Sequence, residues 1–166
     1  SILLWVLAFG IQGATEEIMC RGFLLNSLKN RISIPLAILI SSTAFVFPHL
    51  SSLIEADFVY AVVGIINLYL VSITFSILVL WRCNIWIACG LHSAWNFILY
   101  VIMGLSLSGS ESVSKGVVLF SVKDTSILNG ADYGIEASVI TTVVLGAFLL
   151  ILLAKSKGRK NENGVQ

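Results

Sequence analysis

Five stretches of this chain each run for roughly twenty residues with few or no charges, and that length matches the hydrocarbon thickness of a bilayer. An α-helix rises about 1.5 Å per residue, so about 20 residues cross roughly 30 Å. The runs are Ile2 to about Leu28, Ile34 to Leu50, Phe58 to Trp81, Ile85 to Gly104 and Ala137 to Ala154. They are continuous rather than alternating with period two, which argues against a transmembrane β-barrel. Of the 166 residues 57% are hydrophobic and 11% charged, with a mean hydropathy of +0.96. A soluble domain carries about 25% charged residues, so too few are present here to cover a water-facing surface. The expectation is an all-α, polytopic membrane helix bundle of about five transmembrane helices. It occupies residues 1–154, with a long external loop at 105–136, and is followed by a basic tail at 155–166. The sequence has neither an internal repeat nor a low-complexity tract. It opens at Ser1 inside an apolar run, without a charged n-region or a small-residue cleavage site. That argues against a signal peptide and suggests a chain truncated at its N-terminus, with helices missing upstream.

With five spans, Lys29, Arg31, Arg82, Lys155, Lys157, Arg159 and Lys160 fall on one side of the membrane, and Lys115 and Lys123 on the other. Seven against two follows the positive-inside rule and puts the C-terminal tail in the cytoplasm, with the cell membrane as the expected location. The net-acidic loop from Leu105 to Glu136 is then external, together with Glu55 and Asp57. A loop of that length is usually a lid, a binding element or disordered, and its sequence, with a short apolar stretch at Val117 to Val122, does not choose among these.

The net charge of +1 and the gathering of basic residues at helix ends, with no basic stripe, argue against a nucleic-acid partner. Cys20, Cys83 and Cys89 lie in or beside apolar runs without CxxC spacing, so packing is the expected role of all three.

Against this background five ionisable side chains stand out: Glu16, Glu17, Arg21, His49 and His92. One such group at the centre of a membrane helix costs about 2.5 to 3.5 kcal/mol on insertion scales. Arg21 follows Glu17 by one helical turn, so those two can pair. Glu16 lies about 100° away around the helix and is left to face something else. A carboxylate pair resting in the water interface is the bland alternative. Against it, Gly22-Phe23-Leu24-Leu25 returns the helix to apolar surroundings, and Glu16 lies about 18 Å from Leu28, beyond the reach of snorkelling.

Pro48 cannot donate to the carbonyl of Ala44, so the second helix should kink beside His49. Alone, His49 reads most simply as a packed core histidine. His92 and Asn96 are four residues apart on one helix face and, alone, read equally well as interhelical hydrogen-bond partners. Counted from the cytoplasmic edges, His92 lies about 11 Å deep and Asn96 about 17 Å, near the depth of Glu16. His49, at about 22 Å, is the poorest match. Together they supply a general base, two proton carriers and a hydrogen-bond donor for developing negative charge.

Glu16-Glu17-Ile-Met-Cys-Arg21 matches the pattern EExxxR, Phe45-Val-Phe-Pro-His49 matches FxxxH, and His92-Ser-Ala-Trp-Asn96 matches HxxxN. Three such motifs in this order on membrane helices resemble the CPBP family. Its members are type II CAAX prenyl endopeptidases and bacterial proteins linked to bacteriocin processing and immunity. The resemblance covers roughly Trp5 to Tyr100. It implies an intramembrane endopeptidase acting on a peptide or protein substrate. Glu16 would activate a water that His49 shares, His92 and Asn96 would stabilise the oxyanion, and Glu17 with Arg21 would support Glu16. Family members are often labelled metalloproteases, and Glu16, His49 and His92 are the residues that could hold zinc. There is no HExxH, so a metal-free mechanism without a cofactor is the preferred expectation. The expected action is on a membrane-embedded peptide from the cytoplasmic half of the bilayer. A non-catalytic bacteriocin-immunity or membrane-scaffold protein is the main alternative, and a proton-relay transporter a weaker one.

Overall fold

The structure, a computed structural model, describes residues 2–107, 117 and 126–163. Helix α1 is Ile2–Leu28, α2 Ile34–Ile54, α3 Phe58–Arg82 and α4 Trp86–Ile102. The last helix, α5, is Val139–Asn163. Four of the helices are long and apolar enough to cross a membrane, and α4 is a shorter apolar helix. Among the described residues there is no β-strand. This is the all-α membrane bundle the sequence predicts. Boundaries shift: α2 runs past Leu50 to Ile54, and α5 does not stop at Ala154 but continues through the start of the basic tail to Asn163.

The bundle is inside-out relative to a soluble protein. Large apolar side chains such as Leu3, Phe23, Phe58 and Leu150 are exposed, where lipid would cover them. The buried positions mix apolar side chains such as Leu25, Phe45 and Leu53 with small and polar ones, among them Ser41, Ser42, Ser72, Ser76, Ala37 and Ala88. Lipid offers no hydrophobic drive for helices to associate, so close approach and internal hydrogen bonds must hold them. Gly13 shows how close: a Cβ there would stand 2.6 Å from Ser93 Oγ and 2.9 Å from Ser93 N, so α1 and α4 meet backbone to backbone. Helix α3 lies against both α2 and α5.

Two local irregularities position the polar residues. After Glu17 the first helix widens into a π-helical stretch, Ile18–Leu25. The hydroxyl of Ser41 donates to the carbonyl of Cys20 there, at 2.8 Å. In the second helix Pro48 lies in a 3-10 turn, Phe47–His49, after which α-helix resumes as Leu50–Ile54. Proline lacks the N–H that would continue the α ladder, so the turn tightens instead of breaking.

Helix ends follow ordinary chemistry. Asn84 Oδ1 accepts from Trp86 N at 2.9 Å and Ser138 Oγ from Thr141 N at 3.1 Å, each satisfying an N-terminal amide. Helix α3 ends at Cys83, in the left-handed region at φ 51°. Cys20 and Cys89 are buried, but Cys83 is exposed, so packing does not describe all three cysteines. Of the apolar stretch 117–122 only Val117 is among the described residues. Its N–H donates to Val101 O at 3.1 Å.

Candidate active site

The ion pair expected on the first helix is present and fully enclosed. Arg21 Nη1 donates to Glu17 Oε1 at 3.0 Å, with both side chains at 0% exposure. The other terminal nitrogen of Arg21 donates to the backbone oxygen and the hydroxyl of Ser72 on α3, at 3.0 and 2.7 Å. The guanidinium lies 4.6 Å from the centre of the Phe45 ring, a cation–π contact that binds α2 into the same cluster.

Glu17 has a second partner, which the spacing alone did not show. His92 Nδ1 lies 3.0 Å from the same oxygen, Glu17 Oε1. A carboxylate paired with an arginine can only accept, so Nδ1 is the donor. In the neutral ring Nε2 is then the bare nitrogen, and it stands 3.9 Å from Glu16 Oε2. His49 is held the same way. Its Nδ1 bonds the carbonyl of Phe45 at 2.9 Å, and its Nε2 stands 4.0 Å from Glu16 Oε2. A carbonyl accepts only, so this ring too turns Nε2 toward the glutamate. The 3-10 turn pairs amides three residues back instead of four, which leaves the Phe45 carbonyl for the imidazole.

Glu16 therefore sits between two imidazole nitrogens. Gln12 Nε2 donates to its Oε1 at 3.2 Å. Its Oε2 is buried and has no hydrogen-bond partner among the described residues. Separations of 3.9 and 4.0 Å are too long for direct hydrogen bonds and suit a bridging water. The depth mismatch expected for His49 is not realised: both histidines stand about equally far from Glu16.

Asn96 is buried one turn beyond His92, with no hydrogen bond to its amide among the described residues. It lines a cavity of about 620 Å³ together with His49 and His92. Its wall includes the aromatic rings of Trp5, Phe9, Phe75 and Tyr100. At one end the cavity meets Ser52, Tyr133 and Glu136, where Trp95 Nε1 donates to Glu136 Oε1 at 3.2 Å. None of its lining residues belongs to the helix ends that carry Lys29, Arg31, Arg82 or the basic tail. The cavity thus lies toward the end of the bundle away from Lys29, Arg31 and Arg82.

One carboxylate and two imidazoles on separate helices invite comparison with a zinc site. Ligands about 2.0 to 2.2 Å from a tetrahedral zinc lie roughly 3.3 Å from one another, and here the glutamate oxygen is more than half an ångström farther from each imidazole. Among the described residues no group of three or more His, Cys, Asp or Glu is arranged to hold a metal ion.

Of the six residues singled out in sequence, Glu16, Glu17, Arg21, His49 and His92 form one connected cluster, and Asn96 lines the cavity beside His49 and His92. Sequence reasoning missed Gln12 and Ser72. Gln12, four residues before Glu16, had a signal in its helical spacing. Ser72, on a helix without a motif, had none.

Searches of curated proteins and of solved structures find no match to this chain. A family model does match, over residues 1–98, more than half of the chain and all three motifs. It agrees with the resemblance carried by EExxxR, FxxxH and HxxxN: the chain belongs to the type II CAAX prenyl endopeptidase Rce1-like family.

Proposed function

We propose that this protein is an intramembrane endopeptidase that hydrolyses a peptide bond in or beside the bilayer with water activated by Glu16. The observation that carries the proposal is the convergence of two imidazole Nε2 atoms, at 3.9 and 4.0 Å, on a buried and unpartnered carboxylate oxygen. A water placed among these groups donates one hydrogen bond to Glu16 Oε2 and the other to one of the two imidazole Nε2 atoms. Glu16 Oε2 takes its proton as oxygen attacks the substrate carbonyl, and Gln12 keeps the carboxylate turned so that Oε2 faces the water.

The negative charge then developing on the carbonyl oxygen needs donors. Asn96 offers an amide with no hydrogen bond among the described residues, and His92 can donate through Nε2 once the proton that Glu16 took from the water is passed to it. Glu17 prepares His92 for that task. Its carboxylate accepts from Nδ1, which fixes the ring and stabilises the imidazolium, as the aspartate does in a serine-protease triad. Arg21 balances the charge of Glu17, so that Glu16 remains the unpaired base. We propose further that the reaction is metal-free, because the imidazoles stand too far from Glu16 for a shared tetrahedral ion without movement.

The test is cleavage of a defined mixture of synthetic membrane-spanning peptides by reconstituted protein, with new termini read by mass spectrometry. Glu16→Gln is expected to lower the rate by about 10²- to 10⁴-fold, the usual worth of a general base. Glu17→Asp should retain part of the activity, and a zinc chelator should leave it unchanged. Equal cleavage by Glu16→Gln and wild type would overturn the assignment and favour a non-catalytic binding role.

A further inference from the structure

The helices around the cavity form two walls. Helix α1 packs along α4, where Gly13 meets Ser93, and α3 packs along α2 and α5. The walls are joined at both ends. At one, beside the short turn from α3 to α4, Ser41 bonds the carbonyl of Cys20, and Arg21 reaches Ser72 and the Phe45 ring. At the other, Trp95 donates to Glu136, and Ile135 packs on the cluster of Phe9, Leu99, Val101 and Leu107. Between these ends, among the described residues, Ile2–Glu17 does not pack along α2, nor α4 along α5.

Two seams result, on opposite sides of the cavity. Trp5 and Gln12 on α1 and Pro48 on α2 flank the first, each exposed while lining the cavity. Glu16 and His49 stand at it too, with side chains 26% and 16% exposed. Leu91 and Trp95 on α4, and Val144 and Phe148 on α5, flank the second in the same way, beside His92. The wall made by α1 and α4 is two helices wide, roughly 20 Å at about 10 Å each. An extended chain passing from seam to seam therefore spends about six residues in the cleft, at roughly 3.3 Å per residue. Among the described residues no lysine or arginine lines the cavity, so a chain terminus placed there has no cation for its carboxylate. Asn96 and Tyr100 line it without a side-chain hydrogen bond among the described residues, and can serve the backbone groups of a passing chain.

Resting on the peptidase reading for the chemistry, we infer that the cavity takes an internal polypeptide segment in extended form, lying across the bundle from the α1–α2 seam to the α4–α5 seam, with chain continuing beyond both. The scissile bond then falls beside Glu16, His49 and His92, about three residues from either seam. A membrane helix must unwind to bind in this way. A chain that ends at the catalytic layer leaves half of the cleft empty.

Binding and cleavage are tested separately. In detergent-purified protein carrying Glu16→Gln and Cys83→Ser, one added cysteine reports on each seam, Trp5→Cys on the first and Val144→Cys on the second, while the native Cys20 and Cys89 are buried. An uncharged, end-capped peptide of valine, threonine and serine, about 12 residues long and so able to pass both seams, should slow N-ethylmaleimide labelling at both about tenfold. A version of about four residues, too short to span the cleft, should slow neither by more than about twofold. Ser52→Cys, one turn beyond Pro48, and Leu91→Cys repeat the two readings should either variant fold poorly. Protection at one seam only, or at neither, would overturn the inference. So would equal protection by phospholipid without peptide, which would give the cleft to an acyl chain. With wild-type protein and a capped peptide that it cleaves, trimming either side to a single residue from the bond should lower kcat/KM at least about tenfold. An unchanged kcat/KM would likewise overturn the inference. Protection at both seams without any cleavage by the wild type supports the inference and counts against the peptidase reading alone.

Discussion

Two adjacent glutamates of identical chemistry are put to different uses by their neighbours. Each keeps one buried oxygen without a hydrogen-bond partner among the described residues, but Glu17 is wholly enclosed and its other oxygen accepts from both Arg21 and His92, whereas the unpartnered oxygen of Glu16 faces two imidazoles. The 100° step between consecutive helical residues made that division readable, since only Glu17 has a cation one turn on. The contact of Glu17 with His92 was not readable, because it joins residues 75 apart in the chain and depends on how closely α1 meets α4. The division predicts opposite consequences for the two carboxylates. Glu17→Gln leaves Arg21 buried without its counter-charge and is expected to destabilise the fold by about 3 to 5 kcal/mol, read as a lower unfolding temperature in detergent. Glu16→Gln removes no ion pair with an arginine and should unfold near the wild-type temperature. Asn96→Ala, which breaks no hydrogen bond among the described residues, should lower kcat by about 10²- to 10³-fold with little change in KM.

At the scale of elements, two departures from regular helix carry the site. The π-helical stretch after Glu17 is secured by Ser41 on the neighbouring helix, and the 3-10 turn at Pro48 brings His49 level with Glu16. Counting residues at about 1.5 Å each placed His49 too deep because it took the first residues of three helices to lie at one common edge, which the near-equal distances of His49 and His92 from Glu16 do not support. Pro48→Ala should let the α ladder run through the turn and draw the Phe45 carbonyl away from the imidazole. The expected result is a kcat at least tenfold lower with an unchanged or higher unfolding temperature. Gly13→Ala is expected to act through packing. Its Cβ would stand 2.9 Å from a backbone nitrogen that no side chain can move aside, so α1 and α4 must separate. A loss of about 1 to 3 kcal/mol in stability should accompany the loss of activity, and Ser93→Gly should restore it only in part, since the backbone contact remains.

Across the whole molecule, the apolar runs made the bundle legible, since composition alone demands a membrane. The enclosure of the cavity was not legible, because it depends on α5 and on the residues just before it, which carry no motif. Asn67 makes that closure. Its amide donates to the carbonyls of Glu136 and Ser138 at 2.8 and 3.0 Å, and its oxygen accepts from Thr142 at 2.7 Å, using its polar atoms to tie α3 to the start of α5. Asn67→Ala should expose the segment around 136–142 to faster amide hydrogen exchange while leaving the Glu17–Arg21 end of the bundle protected. With α5 in place, the bundle holds a polar layer at the end of an aromatic cavity, and the reaction proposed for that layer is direct attack by water. Single-turnover cleavage in ¹⁸O-labelled water, with both the product and Glu16 analysed by mass spectrometry, tests it most directly. The account predicts the label in the new carboxyl terminus of the product and none in Glu16. Label in Glu16 with an unlabelled product would show the glutamate acting as a nucleophile and would contradict it.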